Sequence, residues 1–233
     1  MSETKELVDE KKIEKKEREP LFSKKNKKLI TDPLDENNPI TIQVLGICSA
    51  LAVTVQMKAA VVMSLSVLFV LLMANVSISL MRNLIPNRIR IIVQLVVVAA
   101  LVIIVDQVLK AYLFDVSKEL SVFVGLIITN CIIMGRLEAF ALGNKVWPSA
   151  LDAIGNSIGY AMVLVVVSFF KELFGSGKLF GYEIFGNATE QTGIYAMGYM
   201  DNGLMLLPPS SLILVAIYIW IQKMRNPSLI ETH

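Results

Sequence analysis

The chain has 233 residues, 55% of them hydrophobic, with a mean hydropathy of +0.61 and a net charge of +2. A soluble domain is only about 45–50% apolar even with glycine counted, so a wholly soluble chain is excluded, and the near-balanced charge argues against a nucleic-acid partner. Two cysteines outside any CxxC pair, and one histidine at the last position, exclude a disulfide framework, a four-ligand metal site built by this chain alone and a Ser-His-Asp centre.

Residues 1–34 read as a charged tail. Ten Lys/Arg mix with ten Asp/Glu over the first 39 residues, and no apolar stretch precedes Ile40. A secretory signal needs a short basic stretch followed by an apolar one, so this segment is expected to be solvated and disordered, and cytoplasmic. A membrane domain is expected over 35–224, with a short tail over 225–233.

Six apolar blocks follow, bounded by charges: Ile40 to Met57, Ala59 to Met81, Ile91 through Asp106 towards Leu113, the stretch between Glu119 and Arg136, that between Asp152 and Lys171, and Leu204 to Gln222. Each approaches the ~20 residues that cross a ~30 Å hydrocarbon core, and backbone in lipid must bond to itself, so six transmembrane helices are expected. The fold class is an all-α integral membrane protein.

The first and fourth blocks are the short ones. Each carries a glycine, Gly46 or Gly125, and one of the two cysteines, Cys48 or Cys131. They lie three spans apart, and three spans is an odd number, so the second half must run inverted relative to the first. Two inverted three-helix repeats with broken first and fourth helices are the arrangement this suggests. Pro208-Pro209 should kink the sixth span or delay its regular part. Basic residues gather in the tail, around Arg82, Arg88 and Arg90, at Arg136 and Lys145, and at Lys223 and Arg225. With six spans these share one side, which places both termini in the cytoplasm. The long glycine-rich loop from about Gly175 to Gly203 is then an extracytoplasmic lid or contact surface.

Free cysteine is usually a small buried hydrophobe, and spacing alone favours that reading for Cys48 and Cys131. The sharper reading is soft metal ligation, because one thiol sits inside a short span of each half; iron–sulfur has a use in mid-membrane where zinc has none. Carboxylates near the spans, Asp106, Glu138, Asp152 and Glu172, are candidates for an ion path. Lys110 stands four residues beyond Asp106, so an i,i+4 ion pair is the plainer expectation there. Gly175-Ser176-Gly177-Lys178 is followed by Leu179 rather than Ser or Thr, so it reads as an interfacial turn and not a phosphate loop.

Longer strings carry a resemblance. Asp35-Glu36-Asn37-Asn38-Pro39 with Gln43-Val44-Leu45-Gly46-Ile47-Cys48-Ser49-Ala50-Leu51-Ala52-Val53-Thr54, then Arg82-Asn83 with Ile85-Pro86-Asn87, and Val105-Asp106-Gln107 with Leu109-Lys110-Ala111-Tyr112, are three of them. Leu120-Ser121-Val122-Phe123-Val124-Gly125 running to Thr129-Asn130-Cys131-Ile132, and Met134-Gly135-Arg136 before Glu138-Ala139-Phe140-Ala141, are two more. From Asp35 to about Lys223 the chain resembles the family of D subunits of the sodium-translocating NADH:quinone oxidoreductase. The tail before Asp32 and the loop from Glu183 to Met200 depart from that family's pattern.

The resemblance implies a six-subunit complex of a bacterial inner membrane, in which the D and E subunits form an inverted pair beside the A, B, C and F subunits. The pair would share a [2Fe-2S] cluster with two cysteines from each chain, which makes Cys48 and Cys131 the ligands here. NADH, flavins and quinone would lie on other subunits, with electrons crossing the membrane as sodium is exported. Two other readings stay open: the equivalent subunit of an Rnf complex coupling ferredoxin and NAD, and an inverted-repeat carrier without redox chemistry.

Overall fold

The structure is a computed structural model, and it describes residues 24–34, 37–86, 88–112, 125–176, 178–179, 182–183 and 203–225. The described residues are helical apart from turns and one pair of two-residue strands, β1 (Lys178–Leu179) and β2 (Tyr182–Glu183), which pair antiparallel. In chain order the helices are α1 (Lys24–Thr31), α2 (Ile47–Ala52), α3 (Met57–Met81), α4 (Arg90–Tyr112), α5 (Cys131–Arg136), α6 (Val146–Ser176), α7 (Gly203–Leu206) and α8 (Pro208–Arg225). A 3-10 turn, Asp32–Leu34, continues α1, and a π-helical turn, Leu137–Ala141, continues α5.

Among the described residues three helices are long and apolar enough to cross a membrane: Met57–Met81, Arg90–Tyr112 and Val146–Gly175. At 1.5 Å per residue, their 25, 23 and 30 residues rise about 37, 34 and 45 Å, so each exceeds a ~30 Å core. The other expected spans depart from single helices. The first block is non-helical over 37–46 and then helical for only six residues, about 9 Å. The fourth has a helical turn at residues 125–128, a break at Thr129 and Asn130, and then α5. The sixth breaks at Leu207, because Pro208 and Pro209 have no N–H to continue the α7 ladder, and Pro208 instead opens α8.

α3 and α6 pack along one another as the central pair and hold half of the core, including Val67, Val70, Leu71, Ala74, Val163 and Leu164. Polar contacts pin both ends of the pair. Near one end Asn75 Nδ2 donates to Ser149 O (3.0 Å) and Ser79 Oγ to Asn144 O (2.8 Å). At the other, Glu172 Oε2 accepts the Met57 N–H at 2.6 Å, placing an anion at the positive start of α3. α4 lies outside this pair, with 22% of its most apolar stretch buried against 50% and 56% for the other two, so most of its surface is left for lipid or a partner subunit.

Composition assigns residues 1–34 to a disordered tail, and for 24–34 the structure corrects this. α1 and the turn after it lie on α6, where Gly155 and Gly159 let backbone meet backbone. A Cβ at Gly155 would stand 2.6 Å from Leu29 O, and one at Gly159 would run into Pro33 O. The ordering comes from that docking, since eight residues do not hold a helix unaided. Residues 1–23, 113–124 and 226–233, and most of the 175–203 loop, lie outside the described residues.

Candidate functional site

The non-helical entry to α2 is built on Asn38, which is fully buried. Its Oδ1 accepts the N–H groups of Ile40 (3.0 Å) and Thr41 (3.4 Å), and its Nδ2 donates to Gly159 O at 3.2 Å. The chain then turns back so that Leu45 N donates to Pro39 O at 2.7 Å. Two residues in this turn take left-handed backbone, Val44 at φ 57° and Gly46 at φ 82°. A β-branched residue there is strained by roughly 1–3 kcal/mol, a cost that surrounding contacts must offset. Gly46 also has to be bare: a Cβ would approach Tyr160 Cε2 to 3.0 Å. α2 starts immediately after it, with Cys48 as its second residue.

The second cysteine opens its helix in a parallel way. Asn130 is the N-cap of α5, its side-chain oxygen accepting from Ile132 N at 3.3 Å, and Cys131 is the first helical residue. The break therefore falls at Asn130 rather than at Gly125, the glycine that the sequence points to. A buried polar knot ties the two helix starts together. Tyr160 OH donates to Ser49 Oγ (2.7 Å), Ser49 Oγ donates to Gly46 O (2.8 Å), and Asn130 Nδ2 reaches both hydroxyls at 3.5 Å.

The knot brings the two thiols together. Cys48 and Cys131 are both free and both exposed on the surface of this chain, which departs from the buried-hydrophobe reading of either. The two side chains lie within interaction range of each other, and the backbone N–H groups of Ser49 and Cys131 lie near the Cys48 sulfur. Among the described residues no cluster of three or more His, Cys, Asp or Glu forms a candidate metal site, so the thiols stand as a pair. Tyr160→Phe removes the donor that fixes Ser49 and is expected to lower stability by about 1 kcal/mol, read as a shift in thermal unfolding in detergent.

The four carboxylates lie elsewhere. Asp106 accepts from Lys110 Nζ at 2.6 Å, the i,i+4 pair that the spacing foretells. Glu138, in the π-helical turn, takes Arg90 in an ion pair and Gln94 Nε2 at 3.2 Å, tying α4 to the run after α5. Asp152 is nearly enclosed and is gripped on both oxygens by Arg136, through Nε at 3.0 Å and through NH2, with Asn156 Nδ2 adding 3.1 Å. Arg136 also lies over the Phe140 ring, 5.5 Å from its centre. Arg136→Met strands that carboxylate. Full burial would cost roughly 3–5 kcal/mol, and the partial exposure of Arg136 reduces the expected loss to about 2 kcal/mol in denaturant or thermal unfolding. Glu172 is the α3 cap already described. Gly175 and Ser176 end α6, and Lys178 pairs across the strands with Glu183, so no phosphate loop is formed by the described residues.

Sequence reasoning singles out the cysteines and Gly46 but not Asn38, Ser49, Asn130, Tyr160 or the Gly155/Gly159 platform. The two glycines were readable as a small-xxx-small pair, which signals close packing without naming the partner.

Comparison with known proteins fits this geometry. The profile of the family described as "Rnf-Nqr subunit, membrane protein" matches residues 26–219, a range that takes in α1 and both cysteines. One relative, the D subunit of the Na(+)-translocating NADH-quinone reductase of Photobacterium profundum, is 52% identical over 209 residues, covering 90% of this chain and 97% of its own length. The chain belongs to the Rnf-Nqr family of membrane subunits.

Proposed function

We propose that this chain is the D subunit of a Na+-translocating NADH:quinone reductase, and that Cys48 and Cys131 supply half the thiolates of an iron–sulfur cluster shared with its inverted sister, the E subunit. The observation that carries the reading is the pairing of two exposed thiols, each at the start of a short helix and within interaction range of the other. The 52% identity to a D subunit favours this complex over an Rnf complex.

The donor set fits a [2Fe-2S] group. Such a cluster takes four thiolates, and this chain offers two on its surface, open to two more from a second polypeptide. When bound, the group supplies one-electron transfer. The chain's own residues act on the thiolates. Backbone N–H groups of Ser49 and Cys131 meet the Cys48 sulfur, and positive helix starts offset negative charge held away from water. Tyr160, Ser49 and Asn130 hold the two helix starts in register. NADH, flavin and quinone belong to the A, B, C and F subunits. Six spans in two inverted halves, with both termini in the cytoplasm of a bacterial inner membrane, complete the reading; the matched breaks at Gly46 and Asn130 support the repeat.

Iron tests it. The chain co-purified with its sister is expected to hold about two irons per heterodimer and to give an EPR signal on reduction. An iron-free heterodimer that still moves sodium would point to a carrier instead.

A further inference from the structure

Lys171 is fully buried near the end of α6, and the thiol site does not use it. Its Nζ donates to Ser211 Oγ at 2.8 Å and to Leu207 O at 3.5 Å. Among the described residues the salt bridges are Arg90–Glu138, Lys110–Asp106 and Arg136–Asp152, and none involves Lys171. A buried cation without a paired anion is costly, and intramembrane charges of this kind mark substrate and ion routes.

Its surroundings are lined with oxygen. Thr54 Oγ1 donates to Ala50 O (2.6 Å), so at 3.3 Å it is left to accept from Ser211, whose own oxygen accepts from Lys171. Ser168 Oγ donates to Thr54 O at 3.1 Å. The result is a directed file, Lys171 to Ser211 to Thr54 to the Ala50 carbonyl, which ends in the helix that carries Cys48. On α6 itself Asp152, Asn156, Tyr160, Ser168 and Lys171 are all buried. Asp152 and Lys171 are separated by a helical rise of about 28 Å, nearly the depth of the ~30 Å hydrocarbon core. The apolar stretch from Met162 to Val167 interrupts this stripe, and α2 bridges the interruption with Ser49, bonded to Tyr160, and the Ala50 carbonyl, bonded to Thr54.

Hydroxyl and carbonyl oxygens at a helix break are the ligands that alkali cations take inside membranes. The two ends of the stripe differ in charge. Asp152 cancels Arg136 at one end, while the Lys171 charge stands uncompensated among the described residues at the other. A role as a cap for the Leu207 carbonyl explains a donor there but not a charge, since a neutral amide would serve at lower desolvation cost.

We propose that Lys171 is a fixed cation that closes this buried polar file to monovalent cations, so that sodium does not pass along α6 outside the coupled route. An internal positive charge is an established kind of barrier to cations in a pore. The proposal rests on the membrane assignment and not on the cluster, because passive flux without NADH is measurable whether or not iron is bound.

The test uses the assembled complex in sealed phosphatidylethanolamine–phosphatidylglycerol vesicles, without NADH, and follows radioactive sodium uptake. Wild type and Lys171→Arg are expected to be tight. Lys171→Gln and Lys171→Met, which lose the charge, are expected to raise sodium and potassium uptake about 10-fold or more with chloride uptake unchanged. Ser211→Ala, which loses the hydrogen bond and keeps the charge, stays tight. Sodium uptake in Lys171→Gln equal to wild type overturns the proposal, as does an equal leak in Ser211→Ala or a parallel chloride leak, both of which signal loosened packing. Failure of both charge-free variants to assemble, with Lys171→Arg assembling normally, overturns it in favour of a structural cap.

Discussion

Replacing either Cys48 or Cys131 with Ala is expected to remove iron from the heterodimer, abolish its EPR signal and stop electron flow from NADH to quinone, while the chain still folds and assembles. The two halves of this expectation have separate causes. Both side chains are exposed in the chain, so truncation removes little packing and should change stability by no more than about 0.5 kcal/mol. A four-thiolate cluster, by contrast, is held by its sulfurs. Damage to groups around a metal ligand lowers affinity or activity by about 10–100-fold, so loss of a ligand itself should exceed 100-fold. The split matters more than either number, because a buried structural cysteine would give the opposite pattern of lost stability with unchanged redox behaviour. Normal iron content in Cys131→Ala would remove the second thiol from the ligand set.

The spans that could be read from sequence were those whose composition left no choice. Residues 57–81, 90–112 and 146–176 are apolar over lengths that match the bilayer, and each forms a long helix. Local spacing also sufficed for Asp106 and Lys110, four apart on one helix face. Gly46 was legible only as a glycine inside a short apolar block, and the structure uses it in the left-handed region. Asn130 was not, since its capping signal is embedded in the apolar string Ile127-Ile128-Thr129-Asn130-Cys131-Ile132-Ile133, which reads as continuous span. Arg136 and Asp152 meet only because the chain turns between α5 and α6, and no local rule pairs them. The adjacency of Cys48 and Cys131 belongs to the same class: resemblance to a family suggested it, while composition and spacing left the thiols as two unrelated small side chains.

The charged segment 24–34 shows why composition failed where packing decides. Its own sequence is too short and too polar to hold a helix, and its order depends on two bare positions far along the chain. Gly159→Val should therefore release it. A Cβ at 159 would run into Pro33 O and sit 3.2 Å from Pro33 C and 3.2 Å from Pro39 Cδ, so most of what it meets is backbone that no rotamer change can move. Overpacking usually costs 1–3 kcal/mol, and with Pro33 backbone and the rigid Pro39 ring in the way the upper end, about 3 kcal/mol, is expected, a roughly 100-fold rise in the undocked population. Trypsin cleavage among Lys24, Lys25, Lys27 and Lys28 reports that population directly when opening is fast, and it should rise accordingly. Gly143→Ala is the matched control, since the nearest atom to its added Cβ is 3.9 Å away, and its cleavage rate should equal wild type. The same variant reaches the thiols, because Asn38 bonds to Gly159 O while shaping the turn that ends at Gly46. Iron retention in the heterodimer should fall along with docking. Fast cleavage with full iron would mean that the turn before Cys48 holds its shape without the segment, and that Asn38 alone anchors it.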